Sequence, residues 1–171
     1  MTTSEEKAEY QKRYEEWLVA NGTPLKVQTS PSLFCDGVYT HPNGMTVSIR
    51  QLSDSSDRII MVANLNLPPV IQGAISSLPD VEKAALSVEI TLGLIQLGVQ
   101  FSFPTQNNVL QGVTVERTVF GESMTKQIFF DNLYRIIDAL VIVQLRFQQK
   151  LGSGTNQPNI GGSEVNTSFY G

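Results

Sequence analysis

Cys35 is the one thiol and His41 the one imidazole in a chain of 171 residues. A thiol nucleophile needs a base within hydrogen-bond reach, and even spacing along a strand would set the two on one face. Gly37 falls between them and interrupts that register. Cys35 therefore reads as a small core hydrophobe, and His41 as a residue beside a turn. Metal binding asks for a cluster of ligands. Asp54 to Asp57, DSSD, puts carboxylates into one loop but lacks the length and closing Glu of a calcium loop, and reads as a solvated turn. Asp131, Arg135 and Asp138 recur at steps of four and three, the spacing of charges that pair along an exposed helix face. Arg50 and Arg117 would meet an anionic ligand only if a pocket lay between a sheet and long helices. No GxxxxGK or GxGxxG segment follows a strand to cradle a phosphate. The sequence assigns no catalytic, cofactor or metal residues, and the chain is read as a non-enzyme.

Composition narrows the partners. Charged residues make up 16% of the chain, against a usual ~25%, which favours association over strict solubility as a monomer. Net charge is −4, and no Lys/Arg run supplies the basic stripe that nucleic acid or an anionic membrane requires. A lone cysteine forms no internal disulfide, so a reducing cytoplasm is the expected compartment. The opening MTTSEEKAEYQKRYEEW is charged and lacks the apolar core of a signal peptide. The longest apolar stretches carry Glu89, or Arg135, Asp138 and Arg146, and none gives the ~20 apolar residues of a membrane span. A single domain over residues 1–151 fits this length.

The elements read as follows. A first helix opens at Thr3 or Ser4 with Glu6 placed for a capping box, carries Tyr10, Tyr14, Trp17 and Leu18 on one face, and stops at Asn21-Gly22. PLKVQTS could be a short strand. A strand over Phe34–His41 is expected, with a bulge or kink at Gly37, and Pro42-Asn43-Gly44 closes a hairpin. In the next strand Met45, Val47 and Ile49 alternate with Thr46, Ser48 and Arg50. Arg58–Leu65 differs: Ile59, Met61, Ala63 and Leu65 share one face, and Ile60 and Val62 the other. A strand apolar on both faces belongs in the middle of a sheet. Pro68-Pro69 ends it.

A short helix, Val70–Ser76, precedes a longer one that Ser77 would cap, with Asp80 in its first turn. That helix has two stripes: Val81, Ala85, Val88, Leu92 and Ile95, and beside it Leu86, Ile90, Leu94 and Leu97. Gly98 ends it. Val99–Phe103 alternates, Pro104–Asn108 turns, and Val109–Phe120 forms another strand. The last helix, about Met124–Leu151, starts from Ser123 or Thr125. Phe129, Leu133, Ile136, Leu140, Val143 and Phe147 form one stripe and Phe130, Tyr134, Ile137 and Val141 a second. Its polar strip is narrow, so it is either buried on both sides within one chain or meets another chain. Residues 152–171 are rich in Gly, Asn, Ser and Thr, and are expected to be a disordered tail. Phe169-Tyr170 reads as part of that tail.

The order α-βββ-α-ββ-α gives an α+β fold with an antiparallel sheet of about five strands and helices packed on it. The segments EEWLVANG, HPNGMTVSIRQL, DRIIMVANLNL and DVEKAALSVEITLGLIQLG, within residues 4–151, resemble the type III secretion chaperone-like fold, shared with YbjN-like regulators. They are most similar to a small, mostly archaeal family of uncharacterised proteins with that fold. The resemblance implies a dimer that binds protein segments on apolar patches. It brings no catalytic residues.

The expected function is thus a non-enzymatic, chaperone-like interaction module, a cytoplasmic homodimer that binds a partner polypeptide. Soluble monomers rarely expose apolar patches beyond ~300–600 Å², and the two-striped helices carry more than one sheet hides. The expected interaction surface is Ile136, Leu140, Val143, Phe147, Leu86 and Ile90. The alternative is a small-ligand sensor or enzyme with a pocket between the sheet and the long helices. No cofactor, nucleic acid or membrane is expected.

Overall fold

Thr3 starts the first helix, α1 (Ser4–Ala20). Its side chain accepts from the Glu6 N–H while the Glu6 carboxylate accepts from the Thr3 N–H, so both halves of the capping box form. At the far end Gly22 takes φ 76°. The Gly22 N–H reaches the Val19 carbonyl at 2.9 Å and the Thr23 N–H the Leu18 carbonyl at 3.1 Å, the paired bonds of a glycine-terminated helix. Tyr10, Tyr14 and Leu18 are buried and Trp17 is half-buried. The aromatic stripe read from sequence is thus α1's inward face. The computed structural model describes residues 2–28, 33–53 and 56–152. The expected tail, with Phe169-Tyr170, lies outside the described residues beyond 152, as do Asp54 and Ser55 of the DSSD loop.

After α1 come β1 (Lys26–Gln28), β2 (Leu33–Thr40), β3 (Thr46–Leu52) and β4 (Arg58–Asn66), then α2 (Pro69–Ser76) and α3 (Asp80–Leu97). The short strands β5 (Gln100–Ser102), β6 (Thr105–Gln106) and β7 (Val109–Leu110) precede β8 (Gly112–Phe120) and α4 (Lys126–Leu151). The main sheet has six strands in the order β1-β2-β3-β4-β8-β5, and β6 and β7 form a two-stranded hairpin. β1 through β4 pair antiparallel in sequence order. β4 stands inside the sheet, as its sequence demanded: Ile59, Met61, Ala63 and Leu65 are buried, and so is Val62 of the other face.

The chain divides into two compact units, one of residues up to Ala63 with Glu116–Ile136, the other of Asn64–Val115 with the chain from Ile137. In the first unit Tyr14 stacks on Phe129, rings 5.6 Å apart and 4° from parallel, and Trp17 meets Phe129 edge-on at 5.9 Å. Arg13 donates to the Met124 carbonyl at 2.7 Å. In the second unit α3 runs antiparallel to the later turns of α4. Glu82 pairs with Lys150 at 2.8 Å and Glu89 with Arg146 at 3.9 Å. A side chain at Gly93 would come within 2.9 Å of Ile142, so these helices approach closely because that residue is glycine.

Four expectations change. The sheet has six strands rather than about five, because Lys26–Gln28 pairs with Gly37 and its neighbours at the edge. Pairing runs unbroken through Gly37, opposite Ile49, and the irregularity falls between Leu33 and Cys35. Gly37 is small for another reason: a Cβ there would lie 2.3 Å from a Leu25 methyl. Ser77 does not cap α3, which starts behind Pro79 with no side-chain cap; the Ser77 hydroxyl donates to the Ala74 carbonyl at 2.9 Å. The segment read as the turn Pro104–Asn108 contains β6, and its Asn107-Asn108 corner, φ 52° and 62°, is the left-handed two-residue turn of a tight hairpin. The strand read from Val109 accordingly splits into β7 and β8.

Candidate interaction surface

The six residues expected to form the interaction surface are buried within the chain. Ile136 and Val143 are 0% exposed, Leu140 and Leu86 3%, Phe147 4% and Ile90 2%. This corrects the premise that the sheet alone must hide both stripes of α4. The first turns of α4 have α1 alongside in the first unit, through Tyr14, Trp17 and Phe129. The later turns have α3 alongside in the second, through the two ion pairs and the Gly93 approach. Only the strip of Asp131, Tyr134, Arg135 and Asp138 is exposed on the middle of α4.

A continuous uncovered apolar line lies on α3. Val81, Val88, Leu92 and Ile95 are 81%, 56%, 54% and 59% exposed, and Ala85 between them is also exposed. Their steps of four and three place them along one line, opposite the buried Leu86, Ile90 and Leu94. One flank of the line is Glu82 and Glu89, both drawn towards α4 by their basic partners. The other flank is Ala84, Ser87 and Thr91, all small. The helix thus presents an uncharged ridge with a shallow shoulder. The expectation from sequence put Leu86 and Ile90 on the interaction surface; the structure buries that stripe of α3 and exposes the one beside it.

Of the residues weighed for chemistry, Cys35 and His41 are not brought together. Six residues of extended strand separate them by about 20 Å. Cys35 is buried against Tyr14; burial raises its thiol pKa more than the neighbouring Tyr14 hydroxyl lowers it. His41 sits at the β2–β3 turn, where its Nδ1 accepts from the Asn43 N–H at 3.3 Å and its ring meets Tyr134 edge-on at 6.2 Å. Arg50 lies 3.5 Å from Asp36. Arg117 donates to the Asn132 side chain; burial, with Arg135 nearby, lowers its pKa. Both arginines thus have partners within the chain. Among the described residues no three His, Cys, Asp or Glu side chains gather where they could hold a metal ion, and no helix is long and apolar enough to cross a membrane.

The buried phenols and thiol set an alkaline limit. Burial is the first cause raising Tyr10, Tyr14, Tyr39 and Cys35. Folding therefore favours their protonated forms. The stability this contributes is complete below the ordinary values, 9.0 for the thiol and 10.0 for the phenols, and is lost as pH rises beyond them. Denaturant midpoints should hold level from pH 7 to 8.5 and fall above about pH 9 to 10. The last phenolate absorbance should appear together with unfolding. Full ionisation of all tyrosines in a still-folded chain would contradict this placement of Tyr14.

A family model described as "Uncharacterized conserved protein (DUF2299)" matches residues 11–147. The crystal structure of an uncharacterized protein from Methanothermobacter thermautotrophicus is similar over 84% of this chain and 99% of that one, at 20% identity and TM-score 0.77. The crystal structure of the ExsC–ExsE complex is similar over 85% of this chain and 96% of the matched one, at 14% identity and TM-score 0.55. YbjN, a putative transcription regulator from E. coli, is similar over 81% and 93%, at 14% identity and TM-score 0.48. No curated protein matches this sequence. The likenesses show the fold, an α+β arrangement of the type III secretion chaperone-like kind.

Proposed function

We propose that this chain, which belongs to the DUF2299 family of uncharacterized conserved proteins, is a non-enzymatic, chaperone-like module that binds other polypeptides through apolar surface and works as a cytoplasmic homodimer. The observation that carries this reading is the α3 ridge: apolar residues in helical register, exposed on the side opposite the buried Leu86, Ile90 and Leu94. A lone exposed Leu or Val needs no explanation. A continuous line of them along one helix has the pattern of a surface meant to be covered. The ExsC–ExsE complex supports the reading at the level of fold, since its protein is held with a second one. Arg50 already pairs with Asp36 and Arg117 already donates to Asn132, partners that a small anion would have to displace.

A defined client tests the reading. A reduced, alkylated model polypeptide that aggregates on dilution should stay soluble in the presence of a few equivalents of this protein. A fluorescent hydrophobic dye should bind the folded chain, and less well after V88D/L92D. Failure to hold any unfolded client, together with no dye binding by the folded chain, would remove the basis for a polypeptide-binding role.

A further inference from the structure

We infer that one internal water molecule joins the Tyr14 hydroxyl to the Gln51 amide oxygen, beside the Cys35 thiol, where α1 lies over β2 and β3. Cys35 and Gln51 are direct partners across the two strands, so their side chains stand next to each other on the face that α1 covers. They are 3% and 0% exposed. Tyr14, also 0% exposed, comes down on this pair from α1, with its hydroxyl against the Cys35 sulfur. Three polar side chains therefore end together, out of contact with bulk solvent.

Two of the three are incomplete. Gln51 Nε2 donates to the Lys7 carbonyl at 3.3 Å. That bond fixes the amide: its NH2 group faces α1, and Oε1 faces away from the carbonyl. Neither Oε1 nor the Tyr14 hydroxyl has a hydrogen-bond partner among the protein atoms. Buried polar groups left in that condition are rare, because the hydration lost on folding is not returned. The thiol beside them is a weak donor and a weak acceptor and completes neither. The lean of the helix side chains brings the two ends towards each other. Lys7 and Tyr14 lie two turns apart on one line of α1, and a helical side chain leans towards the N-terminus. The Tyr14 ring thus reaches back towards the turn at which Gln51 is held.

Chemistry selects the bridge. Burial keeps the phenol protonated, so the group it meets must accept a hydrogen bond. Oε1 only accepts, so the same group must also donate. Water does both, and internal waters are typically held by two to four such partners. A metal ion could not accept from the phenol, and an anion could not donate to the amide.

A crystal structure of the full chain that resolves ordered water should show one molecule about 2.7–3.2 Å from both Tyr14 Oη and Gln51 Oε1. Melting temperatures supply the second measurement. Tyr14→Phe keeps the ring that stacks on Phe129 and removes only the hydroxyl; Gln51→Met keeps the length of the side chain and removes the amide. Each alone should lower the melting temperature by several degrees, since each leaves the other end of the bridge incomplete. Together they should lower it by clearly less than the sum, because both act on one bridge. A direct hydrogen bond between Tyr14 and Gln51 in the crystal, or a dry contact between them, overturns the inference, and so do losses that add. If either variant fails to fold, the wild-type crystal structure alone decides.

Discussion

Replacing Phe129 with alanine should cost about 3–5 kcal/mol of stability, the largest effect of any single truncation in the first unit. The ring is 0% exposed. It stacks on Tyr14 and meets Trp17 and Phe130 edge-on, at 5.6, 5.9 and 5.5 Å. Truncation removes all three aromatic contacts, each worth more than its buried area alone. It leaves a cavity walled by rings that cannot collapse into it, because Tyr14 and Trp17 are fixed on α1 and Phe130 is the next residue of α4. Against a total of about 5–15 kcal/mol for a domain, such a loss consumes about a fifth or more. The melting temperature should drop by about 10 °C, measured by far-ultraviolet circular dichroism. Phe129→Leu, which keeps most of the volume, should recover over half of the difference. A Phe129→Ala chain that melts within 2 °C of wild type would mean that α1 is not seated on this ring.

The sequence disclosed what is local. Thr3 and Glu6, three residues apart, made their capping box. Asn21-Gly22 ended α1, and Gly98, φ 66°, ended α3. Alternation on both faces of Ile59–Leu65 placed β4 inside the sheet before any partner strand was known. Asn107-Asn108 could have disclosed the small hairpin too, since asparagine is among the few residues that tolerate left-handed backbone in sequence. What stayed hidden depends on residues far apart in the chain. Gly37 is small because Leu25 presses on it, and Gly112 because the Leu65 carbonyl lies 2.3 Å from where its Cβ would be. The two stripes of α3 show the limit best. Periodicity finds a stripe but not its neighbour, and only the presence of α1 and α3 beside α4 decides that the spare surface lies on α3. One cue was present: Glu82 and Glu89 sit seven apart beside the Val81 line, with Lys150 and Arg146 spaced to meet them.

Ile136→Ala and Leu92→Ala, compared in one chain, should separate core from ridge. Ile136 is 0% exposed and Leu92 54%. Deleting a buried aliphatic side chain costs about 2–5 kcal/mol, part for lost transfer and part for the cavity. Deleting an exposed one usually changes stability by less than about 0.5 kcal/mol. Urea unfolding of dilute protein, below the concentration at which copies associate, should therefore show Ile136→Ala with a midpoint far below wild type and Leu92→Ala beside it. Holding of the unfolded client should show the reverse order: Ile136→Ala, in whatever fraction remains folded, still holds it, and Leu92→Ala holds it less well. The combination matters because each half alone has another explanation. A mutation that merely unfolds the chain also abolishes holding, and a surface change that touches nothing also leaves the midpoint unmoved. Only a residue that is dispensable for folding and required for holding lies on a contact surface. If Ile136→Ala instead leaves the dilute midpoint unchanged and abolishes holding, then α4 turns its stripe outward in solution, and the α3 ridge is not the surface that binds.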